Sequence, residues 1–219
     1  MANNEIFGGF GADYDNASVN TGNAPQKIEP GAYVLQIKTA HLETVGEGKK
    51  KIVLYFDIAE GDYAGYYAAL YAYEKGFDNP EKGKKAKWKG TFDIWWPDRE
   101  ADDDKYKSAM SRLKAAITCI NESNPTRPPI NPAVSFGSAD FINKYVGGAF
   151  GAVEWYWEGK TGWTTKCRWL AKLDDVRAGK VTTPEPKENE NKTSVAAPAT
   201  PEADLSGYKE IINDGDVPF

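Results

Sequence analysis

The sequence predicts a mainly β fold: five strands, one amphipathic helix between the third and fourth, and a polar C-terminal tail. Three observations carry that reading. Several runs alternate apolar and polar residues with a period of two, the signature of half-buried strands. Between residues 106 and 120 the apolar residues instead recur at spacings of three and four, as on a helix with one buried face. Past residue 183 the composition falls to Pro, Glu, Asn, Lys, Thr and Ala, with too little apolar area to offset the entropy of ordering.

Residues 1–27 are rich in Gly, Asn and Ala, with Phe7, Phe10 and Tyr14 among them. They read either as an extended arm that pins a few aromatics to the body or as simple disorder. Pro30-Gly31 opens the first strand, where Tyr33, Leu35 and Ile37 alternate with Val34, Gln36 and Lys38 and the run continues to about Val45. Gly46-Glu47-Gly48 turns the chain into a second strand, in which Ile52, Leu54, Phe56 and Ile58 alternate with Val53, Tyr55 and Asp57. Glu60-Gly61-Asp62 turns it again. The crowded Tyr63, Tyr66, Tyr67, Tyr71 and Tyr73 permit a strand or a short helix. A lysine-rich loop follows, with Lys82, Lys84, Lys85, Lys87 and Lys89 around Trp88. Thr91 to Trp96 reads as the third strand, with Phe92, Ile94 and Trp96 on one face.

Asp102-Asp103-Asp104 supplies an N-cap and favourable charge for a helix start. Tyr106, Met110, Leu113, Ile117 and Ile120 form the apolar stripe of that helix, which ends near Asn124-Pro125. After a loop with Pro128, Pro129 and Pro132, Ser138 to Tyr145 reads as a short helix closed by Gly147-Gly148. Phe150 to Trp157 and Trp163 to Leu173 make a final hairpin. Parity places Cys167, Trp169 and Ala171 on one face of its last strand, and Thr164, Lys166, Arg168 and Leu170 on the other. Three strands, a helix and two strands is the order of a five-stranded Greek-key barrel, the OB-fold, with the helix plugging the barrel between strands three and four. The chain therefore divides into an N-terminal arm (1–27), an OB-fold domain (28–183), a flexible, disordered linker (184–212) and a tip (213–219).

A net charge of −5 argues on its face against a polyanionic partner, but the distribution reverses the argument. Residues 184–219 hold eight acids against three lysines, so the tail carries the whole −5 and residues 1–183 balance at zero. A neutral body leaves room for a local basic groove. Two cysteines, Cys119 and Cys167, give neither a disulfide framework nor zinc spacing, and read as small core residues in a reducing, cytoplasmic setting. No apolar run is long enough to span a bilayer and no signal peptide stands out, so no membrane partner is expected. No Gly-rich phosphate loop, G-x-S-x-G elbow or H-E-x-x-H helix appears, and His41 is the only histidine. Neither an enzyme nor a cofactor is expected. The acids between Asp98 and Asp104 suit helix capping better than a magnesium site.

Aromatics make up 13% of the chain, and all seven tryptophans fall between Trp88 and Trp169. Surfaces that hold single-stranded nucleic acid stack bases on aromatic faces and track phosphates with Lys and Arg. Four places join both features. Trp88 lies inside the lysine cluster, with Lys85, Lys87 and Lys89. Tyr55 sits on the outer face of strand two, next to Lys49, Lys50 and Lys51. Trp155 and Trp157 share one face of strand four, and Lys166 and Arg168 project from strand five beside it. A Trp in a strand is more often core than platform. Phe92, Ile94, Trp96, Cys167 and Trp169 are assigned to the core on parity. Exposed Trp and Tyr would also suit a carbohydrate-binding β module.

Asn213 to Phe219 read Asn-Asp-Gly-Asp-Val-Pro-Phe. The Phe219 ring suits an apolar pocket, its carboxylate with Asp214 and Asp216 a basic rim, and Pro218 after Val217 limits the entropy lost on docking. This tip resembles the acidic D-D-x-P-F end of bacterial single-stranded DNA-binding proteins, with Gly215 interrupting the acidic run. The G-x-Y-x-x-x-I opening at Gly31 to Ile37 is also similar to an uncharacterised phage replication-gene family. Together they make the chain look like a phage-type single-stranded DNA-binding protein.

The resemblance implies sequence-independent coating of single-stranded DNA during phage DNA replication or recombination, in the cytoplasm of the bacterial host cell. It also implies recruitment of replication and recombination proteins through the tip. A homo-oligomer is compatible with it. The insertion Tyr63–Lys89 and the second helix depart from the small bacterial type, so its tetramer is not carried over. A phage structural or adaptor protein would use the same aromatics for assembly.

Overall fold

The computed structural model describes residues 24–46, 48–78, 85–157 and 159–189. Residues 1–23 of the expected arm, Lys82, Lys84, residues 190–212 of the expected linker and the tip (Asp214, Asp216, Val217, Pro218, Phe219) lie outside them. Within the described residues the fold is mainly β. One open antiparallel sheet holds β1 (Gly31–Val45), β2 (Lys49–Ile58), β3 (Thr91–Trp95), β4 (Tyr145–Trp157) and β5 (Lys160–Ala171), in the order β3-β2-β1-β4-β5. Helix α1 (Tyr66–Lys75) follows β2, α2 (Asp103–Glu122) separates β3 from β4, and α3 (Leu173–Arg177) follows β5.

β1 is long enough to serve two partners. Gly31–Gln36 pairs with β4, and Leu35–Val45 pairs with β2. The β1–β2 register shifts between Ile37 and Thr39, leaving Lys38 as an extra residue. Such a bulge resets side-chain parity. Leu35 and Ile37 before it and Ala40 after it are therefore all buried. Ile52, Leu54, Phe56 and Ile58 of β2 meet them, with Ile94 of β3 and Val146 and Phe150 of β4. Phe56 and Phe150 cross edge to face at 6.0 Å, a favoured aromatic geometry.

α2 covers this core with Leu113, Ala116, Ile117 and Ile120. The expected stripe is buried only along its later turns, because Met110 is exposed and Tyr106 half-buried. Asp102 caps the helix as its sequence predicts: Oδ1 accepts a hydrogen bond from the Lys105 amide at 2.9 Å. Bonding to Lys105 holds the Asp102 carboxyl below the usual carboxylate range.

The tyrosine-rich stretch resolves as helix α1, whose cap comes from another element. Gly65 offers no side chain at the N-terminus, so the buried Asp57 of β2 serves instead. Asp57 Oδ1 accepts from the Tyr67 and Ile58 amides, both at 2.9 Å, and Oδ2 from the Ala68 amide at 3.3 Å. A carboxylate at the positive end of the helix binds α1 to the sheet.

Three features differ from the sequence reading. Ser138–Asp140 is a single 3-10 turn rather than the start of a helix, and β4 begins at Tyr145. Gly147 and Gly148 are strand residues there, not a helix cap. A Cβ on Gly147 would lie 2.4 Å from Val176, and one on Gly148 2.6 Å from Leu35, so both mark close packing. In β5 the register shifts so that Ala149 opposes Trp169 while Phe150 opposes Cys167, which leaves Arg168 extra. Leu170 is consequently buried and Trp169 exposed, the reverse of the parity assignment. Lastly, Pro184–Asn189 lies along β4 rather than starting a linker. Its backbone bonds to β4, which a composition of six polar and proline residues does not advertise.

Candidate nucleic-acid interface

Large aromatic side chains are usually drawn into cores by their area. Here six of the seven tryptophans stand between 38% (Trp96) and 68% (Trp157) exposed. Four of them, Trp95, Trp155, Trp157 and Trp163, fall on two surfaces.

The first is the face of β1, β2 and β3 turned away from the core. Because Ile52, Leu54 and Phe56 point inward, Lys51, Val53 and Tyr55 lie on the other face, where Val53 is nonetheless buried and Lys51 and Tyr55 are half-buried. Register then aligns three cross-strand rows: Thr39–Tyr55–Thr91, His41–Val53–Asp93 and Glu43–Lys51–Trp95. Tyr55 donates its hydroxyl to Glu43 Oε1 at 3.1 Å, and the His41 ring meets its ring edge-on at 5.5 Å. Burial and that bond to Glu43 raise the Tyr55 phenol above its ordinary value. Lys51 donates to Asp93 Oδ2 at 2.7 Å and lies 4.0 Å from Glu43. Its charge is thus held between two carboxylates. Lys49 and Lys50 are exposed at the end of the β1–β2 hairpin.

The second surface is the outer half of the β4–β5 hairpin. Pairing of β1 with β4 stops at Phe150, so from Gly151 to Trp157 the ribbon projects beyond β1. Seven residues of strand extend it by roughly 23 Å. Opposed residues share a face, so Trp155 and Trp157 stand with Gly162, Lys160, Thr164 and Lys166. The Trp155 indole lies across Gly162, where a Cβ would come within 2.5 Å of the ring. Only glycine lets the indole lie that close to the strand. Trp163 is exposed on the opposite face, paired with the buried Glu154.

The structure thus sets Trp155, Trp157 and Lys166 on one ribbon face, with Lys166 opposite Gly151, and brings Lys51 and Tyr55 to the same Glu43 carboxylate. The lysine loop behaves differently. Trp88 is half-buried: its indole N–H donates to the Phe56 carbonyl at 2.9 Å and its ring packs against Tyr71 at 5.9 Å. It is an anchor holding segment 85–90 to β2. Lys89 pairs with Glu74 of α1, while Lys85 and Lys87 are exposed on the irregular segment. Arg168, the bulge residue, is half-buried, and its Nη1 is buried without a hydrogen-bond partner. Trp96, assigned to the core, is partly exposed and stacks on Phe136 at 5.9 Å.

Sequence reasoning missed Trp95, Lys160 and Trp163. Alternation with Phe92 and Ile94 would have put Trp95 on the outer face, and counting back from the hairpin turn would have placed Lys160 beside Trp157. Cys167 is half-buried and packs against the core, and desolvation pushes its thiol up. Among the described residues no group of His, Cys, Asp or Glu is arranged to hold a metal ion, and no helix is long and apolar enough to cross a membrane.

No protein-family model matches the chain, and no curated protein matches it either.

Proposed function

We propose that the chain binds single-stranded DNA without sequence preference, stacking bases on exposed tryptophans and meeting phosphates with lysines. One observation carries the reading. Trp155 and Trp157 share a ribbon face with Lys160 and Lys166, and that ribbon projects past β1. An aromatic face edged by cations suits a polyanion with unpaired bases. Half-buried Tyr55 and exposed Trp95, on the β1–β2–β3 face, offer a second place for bases.

The OB-type barrel is the fold proposed for this surface. Its support is the position of β1 between β2 and β4, the placement of α2 between β3 and β4, and the approach of edge strands β3 and β5 to each other. In that fold the outer face of strands two and three and the loops of the two long hairpins take oligonucleotides. The acidic tip, with its resemblance to bacterial single-stranded DNA-binding proteins, supports recruitment of replication and recombination proteins. On the same resemblance the protein works in phage DNA replication or recombination inside the bacterial host cell.

Titration of the purified full chain with oligo-dT at low and high salt, read by tryptophan fluorescence, tests the reading. Binding with quenching at low salt, weakened at high salt, is expected. Absence of binding at low salt would end the reading, and salt-independent binding of neutral oligosaccharides would replace it with the carbohydrate one.

A further inference from the structure

β4 loses its β1 partner after Phe150, which leaves a free strand edge alongside the tryptophan ribbon. The chain itself takes up part of that edge. Lys187 N donates to the Ala152 carbonyl at 2.9 Å, and Glu154 N donates to the Lys187 carbonyl at 2.9 Å. The pairing is parallel and sets Lys187 opposite Val153. At one end of the segment Asn189 N donates to Glu154 Oε2 at 3.2 Å. At the other, buried Pro184 lies over Gly151, where a Cβ would come within 2.7 Å of the proline ring.

Residues opposite one another in a sheet share a face. Val153 is on the face of Trp155 and Trp157, so Lys187 is on it too, and its side chain is exposed. The two tryptophans are then bordered by Lys160 and Lys166 on the β5 side and by Lys187 on the opposite edge. The segment carries Glu185 and Glu188 against its single lysine, so its own charge is −1. Composition therefore argues against a role that strand pairing confers.

We propose that Pro184–Asn189, bridged to β4 at Lys187, forms an edge of the nucleic-acid surface and that Lys187 contacts phosphate there. The proposal rests on the single-stranded DNA reading above and adds the opposite wall to it. A phosphate neutralised on a single strand contributes about −0.7 to the slope of log K against log salt.

The test is a salt series of oligo-dT titrations on the full chain and its Lys187→Ala, Lys187→Arg and Lys180→Ala variants. Lys187→Ala should make the slope shallower by about 0.7, Lys187→Arg should keep it, and Lys180→Ala, on the exposed segment after α3, should leave it unchanged. Gly151→Val, which must lift Pro184 away, should reproduce the Lys187→Ala slope. A Lys187→Ala slope equal to that of the unaltered chain overturns the proposal and leaves the DNA reading standing. If the unaltered chain itself fails to bind oligo-dT, the DNA reading falls and the proposal with it.

Discussion

The two long hairpins of the sheet use similar residues for opposite ends. In β1–β2, the large apolar side chains Ile52, Leu54, Phe56 and Ile58 point into the core, and the outer face is tied down by Lys51, Glu43, Asp93 and Tyr55. In the outer half of β4–β5, Trp155, Trp157 and Trp163 keep about half or more of their surface in solvent although each carries more apolar area than any of those residues. The boundary is Phe150, the last β4 residue that pairs with β1 and the last that reaches the core. Burial energy is thus spent on one side of Phe150 and left unspent on the other. Folding and binding should therefore respond to different substitutions.

The sharpest division is between Phe150 and Trp157. Phe150→Ala should cost about 3–5 kcal/mol of stability in urea unfolding, because the emptied site borders Phe56 and Tyr33 and cannot collapse freely. Trp157→Ala should change stability by less than about 0.5 kcal/mol, as expected away from a core. Equal losses from the two would erase the distinction.

Binding should run the other way. Removal of Trp155 or Trp157 is expected to weaken oligo-dT affinity by about 1–3 kcal/mol each, roughly 5- to 150-fold in Kd. Fluorescence titration of the single variants measures it, and unaltered affinity in both would take the ribbon out of the interface.

Trp88 refines the comparison, since it sits in the lysine-rich segment yet behaves as part of the fold. Trp88→Phe keeps a ring but loses the donor to the Phe56 carbonyl, so stability should fall by about 1 kcal/mol with oligo-dT affinity unchanged. A large loss of affinity at full stability would return Trp88 to the binding surface.

The smallest effect concerns alkaline pH. Burial, then repulsion from Tyr63 and Glu29, pushes the Tyr33 phenol from 10.0 up to about 12. A raised phenol favours the protonated form in the folded state, so its contribution is complete below pH 10 and is lost as pH rises through about 12. Tyr33→Phe should flatten the fall in unfolding free energy across that window, and an unchanged pH profile would show that Tyr33 does not contribute to it.

Much of this was legible in the residues. Period-two alternation located β1, β2 and β3, and the stripe from Leu113 to Ile120 located α2 with its Asp102 cap. The outward position of Tyr55 and the shared face of Trp155 and Trp157 followed from the same parity. What parity could not carry was the effect of one extra residue. Arg168 inserts a bulge, and beyond it Trp169 and Leu170 exchange places. Gly147 and Gly148 misled because a glycine pair that ends a helix and one that admits close packing look identical in a sequence. Residues 184–189 were invisible for another reason: they are held by backbone hydrogen bonds to β4, to which side-chain composition is blind.

The central claim is that the tryptophans left outside the core are a platform for unpaired bases. Its most direct measurement compares tryptophan quenching by oligo-dT in dilute buffer for the unaltered chain and for the Trp155→Ala/Trp157→Ala double variant. Strong quenching by the first and little by the second, with both equally stable, is the predicted result. No response from the unaltered chain, or an undiminished one from the double variant, would contradict it.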